Sequence, residues 1–271
     1  MNEEQKKIIR KLKDEAKKLG HSPRQREIST NLSWKCYKHI GSFNKAKKLA
    51  ELNIVNVRKT KFSRQAFKLD KDMAHIGSYL LFDGHIYDTL KGIMFSSIIL
   101  RDLQTIEKIF KRKFGIRGIY YLNSAGSNYQ THKFCIFNKL IARKLVKIGI
   151  PKGNKTMQNF RVPQWIRNSK DLSREFLKVA FLCEGSFKEN DRKNPRISIN
   201  IAKAEQFLKS GIKFMNDLRF MLLKFGIRAT NCHICGRNPI RKKDGIRTRN
   251  IRFRIITEDN NKFIKEIGWI K

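Results

Sequence analysis

Apolar residues at helical spacing define the two most regular stretches of the chain. Ile76, Leu80 and Asp83 fall at i, i+4 and i+7, and 101 residues later Leu177, Phe181 and Glu184 repeat the spacing within the apolar run Phe176 to Phe187. Each predicts a helix with a buried stripe, and each stripe ends on a carboxylate followed by a glycine, Gly84 or Gly185. A left-handed glycine is the expected helix stop. An acid at that end sits at the negative pole of the helix macrodipole, where it is disfavoured. If the two helices pack together the carboxylates repel, unless a cation such as Mg²⁺ lies between them.

The pattern repeats beyond the helices. Lys113-Phe114-Gly115-Ile116-Arg117 recurs as Lys224-Phe225-Gly226-Ile227-Arg228, each copy closing an amphipathic helix, and Ile148-Gly149 recurs as Ile267-Gly268. Between these landmarks polar and apolar residues alternate as in strands. Arg196, Ser198 and Asn200 interleave with Ile197, Ile199 and Ile201; Asn250, Arg252 and Arg254 interleave with Ile251, Phe253 and Ile255. The expected class is α+β, with two pseudo-symmetric αββαββα halves at 71–155 and 156–271. Hairpin turns are expected near Lys91-Gly92 and Ala125-Gly126, with longer loops at Glu189 to Asn194 and Gly236 to Asp244.

The N-terminal residues read differently. Ile8, Ile9, Leu12, Ala16 and Leu19 form one helical stripe closed by Gly20; Trp34, Tyr37 and Ile40 form a second; Ala46, Leu49, Ala50 and Leu52 form a third. A small all-helical domain is expected over 1–60, joined by a polar, basic linker at 61–70.

Charge decides the class of partner. The net charge is +37 with a pI near 10.4, which predicts attraction to a polyanion, nucleic acid first. No apolar run is long enough to span a membrane, and Met1-Asn2-Glu3-Glu4 opens an amphipathic helix rather than a signal peptide. The expected location is the cytoplasm, on the nucleoid. One face of the predicted strands presents Arg196, Arg252 and Arg254 and, in the first half, Lys133, which suits a β-ribbon in the major groove of duplex DNA. Five irregularly spaced cysteines argue against a disulfide framework. Cys232-His233-Ile234-Cys235 has the spacing of half a zinc site but no second pair to close it, and reads as a plain strand.

Ile76-Gly77-Ser78-Tyr79-Leu80-Leu81-Phe82-Asp83-Gly84 and Leu177-Lys178-Val179-Ala180-Phe181-Leu182-Cys183-Glu184-Gly185 resemble the two motif copies of monomeric LAGLIDADG homing endonucleases. The resemblance implies a central interface of the two motif helices, small residues such as Gly77 and Ser78 allowing close approach, and metal held by Asp83 and Glu184 for cleavage of duplex DNA. The chain departs from the motif at Phe82, Lys178, Val179 and Cys183. It also implies a monomer with internal pseudo-twofold symmetry. The segment Ile150 to Ile166 resembles the archaeal branch, in which the residue matching Lys155 assists the metal centre; a phosphate-contacting or solvated lysine is the alternative. Gly20-His21-Ser22-Pro23 with Gly41-Ser42-Phe43-Asn44-Lys45-Ala46 resembles the homing-endonuclease-associated repeat, a helical DNA-binding module. The expected reaction is Mg²⁺-dependent phosphodiester hydrolysis, with intron or intein mobility as its context. His75 and His85 flank only the first motif and read as local residues. Two other functions share the architecture: an RNA maturase acting on intron RNA, and a DNA-binding regulator that no longer cleaves.

Overall fold

The computed structural model describes residues 1–53, 62–123, 130–189, 195–236, 240, 241 and 244–268. They form two compact units, Met1–Lys61 and Phe62–Lys271. The expected turn at Ala125-Gly126 lies outside the described residues, as do most of the loops placed at 189–194 and 236–244. Among the described residues, no helix is long and apolar enough to cross a membrane.

The first unit packs α1 (Glu3–Leu19), α2 (Thr30–Ile40) and α3 (Phe43–Leu49) around Ile8, Ile9, Leu12, Leu32, Cys36, Ile40, Phe43, Ala46 and Ala50. Asn2, Ser29 and Ser42 cap the three helices by accepting backbone N–H groups of Gln5, Leu32 and Lys45. The buried stripe of α2 is Leu32, Cys36 and Ile40, whereas Trp34 and Tyr37 are 56% and 49% exposed. Of the expected stripe Trp34, Tyr37 and Ile40, only Ile40 is therefore buried. Residues at i, i+4 and i+8 carry the packing, and the two aromatic rings lie on the opposite side.

The second unit repeats one element order twice. The first half runs α4 (Lys71–Leu81), β1 (Gly84–Ile86), β2 (Ile93–Ser97), α5 (Leu100–Phe114), β3 (Ile119–Asn123), β4 (Thr131–Ile136) and α6 (Lys139–Lys147). A short helix, α7 (Gln164–Arg167), leads into α8 (Lys170–Glu184), β5 (Gly185–Glu189), β6 (Pro195–Ala204), α9 (Leu208–Leu223), β7 (His233–Cys235), β8 (Thr248–Arg254) and α10 (Asn260–Ile267). The two antiparallel sheets have matching strand orders, β1-β2-β4-β3 and β5-β6-β8-β7. This is the expected α+β arrangement of two αββαββα halves. The repeated Phe-Gly-Ile segments mark matching helix ends, with Gly115 at φ 63° and Gly226 at φ 64°, a left-handed conformation that a side chain disfavours.

Strand alternation sorts the sheet faces as expected. Ile93, Phe95, Phe134, Ile197, Ile199, Ile251 and Phe253 are buried under the helices of one continuous core. The expected linker is not one throughout: Ser63 caps a 3-10 turn at Arg64–Phe67, and Phe62 and Phe67 pack on Phe114 at 5.5 and 5.3 Å between ring centroids. Residues from Phe62 onward belong to the second unit, and the partly buried rings of Phe62 and Phe67 pack against its core at α5.

Candidate functional site

The motif helices α4 and α8 pack directly against each other and contribute Ile76, Leu80, Phe176, Leu177, Ala180 and Phe181 to the common core. Ser78 is fully buried, and its hydroxyl donates to the backbone carbonyl of Phe176 at 2.8 Å, a contact that needs a small side chain and a nearby helix backbone. Gly77 serves another neighbour: a Cβ there would lie 3.1 Å from Ile150 Cδ1. Its small size makes room for the segment joining the halves. Phe82, at an unusual motif position, fills space between Phe176 and Phe214 at centroid distances of 6.0 and 5.8 Å. His75 is not a local residue. Its Nδ1 lies 2.7 Å from Glu175 Oε1 on α8, and because a carboxylate only accepts, Nδ1 carries the proton.

The two acids reach the same end of this interface by different endings. Helix α4 stops at Leu81, so Asp83 lies two residues beyond it and is exposed; α8 continues through Glu184, which is half-buried. Neither following glycine is left-handed, contrary to expectation. Gly185 is extended (φ −72°, ψ 146°), and both glycines begin strands. Their requirement is steric. A Cβ on Gly185 would meet the Phe181 carbonyl oxygen at 2.2 Å, and one on Gly84 would meet Leu80 Cα at 2.8 Å, because the chain turns back against the last helical turn.

Lys155, from a 3-10 turn at Lys155–Met157, enters here. Its ammonium donates to the carbonyls of Leu80 at 2.9 Å, Gly84 at 2.8 Å and Phe82, using its three N–H groups on the oxygen-rich end of α4. A cation at a helix C-terminus is stabilised by the macrodipole. Burial pushes its pKa down to about 8, and the charges of Asp83, Cys183 and Glu184 act against the fall. Both acids thus act on one buried ammonium. The Cys183 thiol hydrogen-bonds Asp83, and burial together with the neighbouring carboxylates raises its pKa well above the usual range. Beside them lies a cleft of about 300 Å³ lined by Tyr79, Asp83, Ser96, Asp102, Thr131 and Cys183.

Lys155 is itself positioned from the second half. Lys203 on β6 is 1% exposed, and its Nζ donates to the carbonyls of Lys155 at 2.6 Å and Gln158 at 2.9 Å while lying 3.8 Å over the Phe160 ring. Burial, and then the charge of Lys155, pushes its pKa down to about 7. Asp217 on α9, also 1% exposed, accepts from Arg161 Nε at 2.6 Å and from the Val162 backbone at 3.2 Å. Sequence reasoning missed both residues. Parity was the available signal for Lys203, which falls on the same inward face as Ile197, Ile199 and Ile201.

The remaining expected residues lie on sheet faces. Arg196, Arg252 and Arg254 share the outer face of the second sheet, and Arg252 and Arg254 bury their Nε atoms without a hydrogen-bond partner among the described residues. Lys133 stands on the outer face of the first sheet, between Ser96 and Tyr121. Among the described residues, no group of three or more His, Cys, Asp or Glu side chains could hold a metal. Two acids suit a hard cation that takes its other ligands from phosphate and water, as Mg²⁺ does. Cys232 and Cys235 are free thiols, the first just before β7 and the second its last residue, and the Cys232 thiol donates to Asn216 Oδ1 at 3.3 Å.

Several known proteins are similar to this chain. The tRNA-splicing ligase RtcB of Methanopyrus kandleri is 24% identical over 214 residues, covering 73% of this chain and 20% of that protein. The replication factor C small subunit of Methanocaldococcus jannaschii is 23% identical over 168 residues, covering 58% of this chain and 9% of that protein. The chain therefore spans a fifth or less of the length of these relatives. Among solved structures, a mesophilic variant of the homing endonuclease I-DmoI superposes with a TM-score of 0.45 at 12% identity, covering 75% of this chain and 90% of that one. Full-length DUF199/WhiA from Thermatoga maritima superposes with a TM-score of 0.47 at 13% identity, covering 76% and 60%. Residues 171–268, which hold α8 and the rest of the second half, match the family described as the LAGLIDADG-like domain.

Proposed function

We propose that the chain is a monomeric two-motif homing endonuclease that hydrolyses phosphodiester bonds of duplex DNA with Mg²⁺, its first unit serving as an accessory DNA-binding repeat. The observation that carries this reading is the placement of Asp83 and Glu184, one acid from each half, at the ends of the packed helices α4 and α8, where the buried ammonium of Lys155 caps the α4 carbonyls and the charge of each acid raises its pKa. Asp83 and Glu184 would hold the cation. When bound, it supplies Lewis-acid stabilisation of charge developing on the phosphate. The protein's own groups do the rest. Lys155 fixes the carbonyl-rich end of α4, Lys203 and Asp217 hold the segment that delivers it, and the outer sheet faces bind and orient the duplex.

The relatives support a mobile context. A ligase and a replication factor share no chemistry in their names, yet each contains a segment similar to this chain that is a small share of its length. Such a distribution is expected of an insertion that moves between hosts. One observation favours a catalytically silent binder instead: the Cys183 thiol already hydrogen-bonds Asp83, and the Lys155 N–H groups are engaged.

The deciding experiment incubates the full chain with a randomised duplex library in Mg²⁺ or EDTA and sequences the ends. Mg²⁺-dependent ends at one sequence support the endonuclease. Bound but uncut duplex under both conditions supports the silent binder.

A further inference from the structure

The first unit presents a surface that its own packing does not use. Helix α2 buries Leu32, Cys36 and Ile40 in the core of the unit, and the rings of Trp34 and Tyr37 take no part in that core. At i and i+3 the two rings are neighbours on one helix face, so they form a patch rather than two scattered residues. The patch is fixed by its surroundings. The Tyr37 hydroxyl donates to Gln25 Oε1 at 3.3 Å, and Gln25 Nε2 donates in turn to Ser33 Oγ at 3.0 Å. The Lys38 ammonium lies 4.7 Å over the Trp34 ring.

Charge is sorted along the unit in the same sense. From Ile28 to Ala50, a span that holds α2 and α3, the sequence has no Asp or Glu, while Lys35, Lys38, Lys45, Lys47 and Lys48 all fall within it. Lys47 is buried and donates to the Pro23 carbonyl at 3.1 Å, and Lys35 pairs with Glu4; Lys38, Lys45 and Lys48 are exposed. Ring faces beside ammonium groups are the combination that takes a nucleic-acid strand, the rings stacking on bases and the cations meeting phosphates. Within a duplex each base face is covered by its neighbours, and only the edges are open to amide and guanidinium groups. Here the Gln25 amide is engaged at both ends, and Asn31 lines a cleft with Lys11, Asp14 and Lys18 of α1. What this side of α2 offers is ring faces, and those need bases whose own faces are uncovered.

We infer that α2 of the first unit binds single-stranded DNA, with unpaired bases stacked on Trp34 and Tyr37 and a phosphate met by Lys38. This rests on the reading of the unit as an accessory DNA-binding repeat and narrows it: the ligand is an unwound or cut strand, not an intact duplex.

The test measures the affinity of the full chain in EDTA for a thymidylate strand of about twelve nucleotides, an abasic strand of the same length, and the thymidylate strand paired with adenylate. Trp34→Ala and Tyr37→Ala should each weaken binding of the thymidylate strand about tenfold, and leave the abasic strand and the duplex within about twofold of the parent. The abasic strand keeps the phosphates and lacks the bases, so the difference isolates stacking from charge. Trp34→Phe keeps a ring face and should restore most of the affinity. Variants that bind the thymidylate strand as the parent does, which is also the result if the rings dock on a protein, would overturn the inference. So would variants that weaken all the probes alike. Tighter binding of a uridylate strand of equal length would move the surface to RNA and overturn the assignment to DNA. A parent that binds neither strand nor duplex removes the DNA-binding reading of the chain itself.

Discussion

The two motif helices share a spacing and differ in how they end. Helix α4 stops at Leu81, leaves Phe82 at φ −108° and ψ −91°, and has the carbonyls of Leu80, Phe82 and Gly84 gathered by Lys155. Helix α8 runs through Glu184 and passes directly into β5 at Gly185. The spacing of apolar residues sets where each acid falls. The ending depends on a cation delivered from 70 or more residues away. The positive charge expected between the carboxylates is therefore supplied in part by the protein: removing one acid removes its attraction to the buried Lys155, so metal-free stability should fall slightly.

The largest stability effect should separate the two ends. Lys155→Met leaves the carbonyls of Leu80, Phe82 and Gly84 without their buried donor and should cost about 3 kcal/mol in denaturant unfolding. Hydrogen exchange should show the loss at β1, with β5 affected less. Equal loss of protection at both strands would mean that Lys155 supports the interface as a whole.

Gly185→Ala tests the second end. The added methyl meets a backbone carbonyl that cannot rotate away, so a cost of about 2 kcal/mol is expected, greater than for Gly84→Ala. Thermal unfolding in EDTA measures both. The reverse order would show that the turn after α8 is the more pliable of the two.

A smaller effect reaches the first end indirectly, through Lys203. Its folded pKa of about 7 lies below the ordinary value of 10.5, so between those pH values the unfolded chain binds more protons and parent stability rises with pH. Lys203→Met removes this titration. The stability difference between parent and variant should therefore shift in the parent's favour from pH 7 to pH 10, as read by urea midpoints. A difference that stays constant with pH would place the Lys203 charge in solvent.

Much of this was legible in the chain. The repeated Lys-Phe-Gly-Ile-Arg segments and the alternation around Ile199 and Phe253 specified two similar α+β halves, because burial on one face leaves a direct periodic trace. The acids stood out because each follows a buried stripe, although Asp83 itself lies beyond the end of its helix and is exposed. Gly84 and Gly185 were located correctly but explained wrongly, since a close approach and a left-handed turn select the same residue. The roles of Lys203 and Asp217 left little trace: their partners are backbone carbonyls and Arg161 in a connecting segment, and contacts of that kind have no period. Trp34 and Tyr37 misled because their spacing fits either face of a helix.

The most direct test pairs cleavage with binding in Asp83→Asn and Glu184→Gln. On a duplex selected by the parent, Mg²⁺-dependent cleavage should drop by at least about a hundredfold in each variant, since metal stabilisation of the transition state is worth several kcal/mol. Affinity for the same duplex in EDTA should stay within about threefold of the parent, because neither acid lies on the outer sheet faces. Variants that cut as the parent does, or a parent that cuts equally in EDTA, would contradict the assignment of Asp83 and Glu184 as the metal-holding pair.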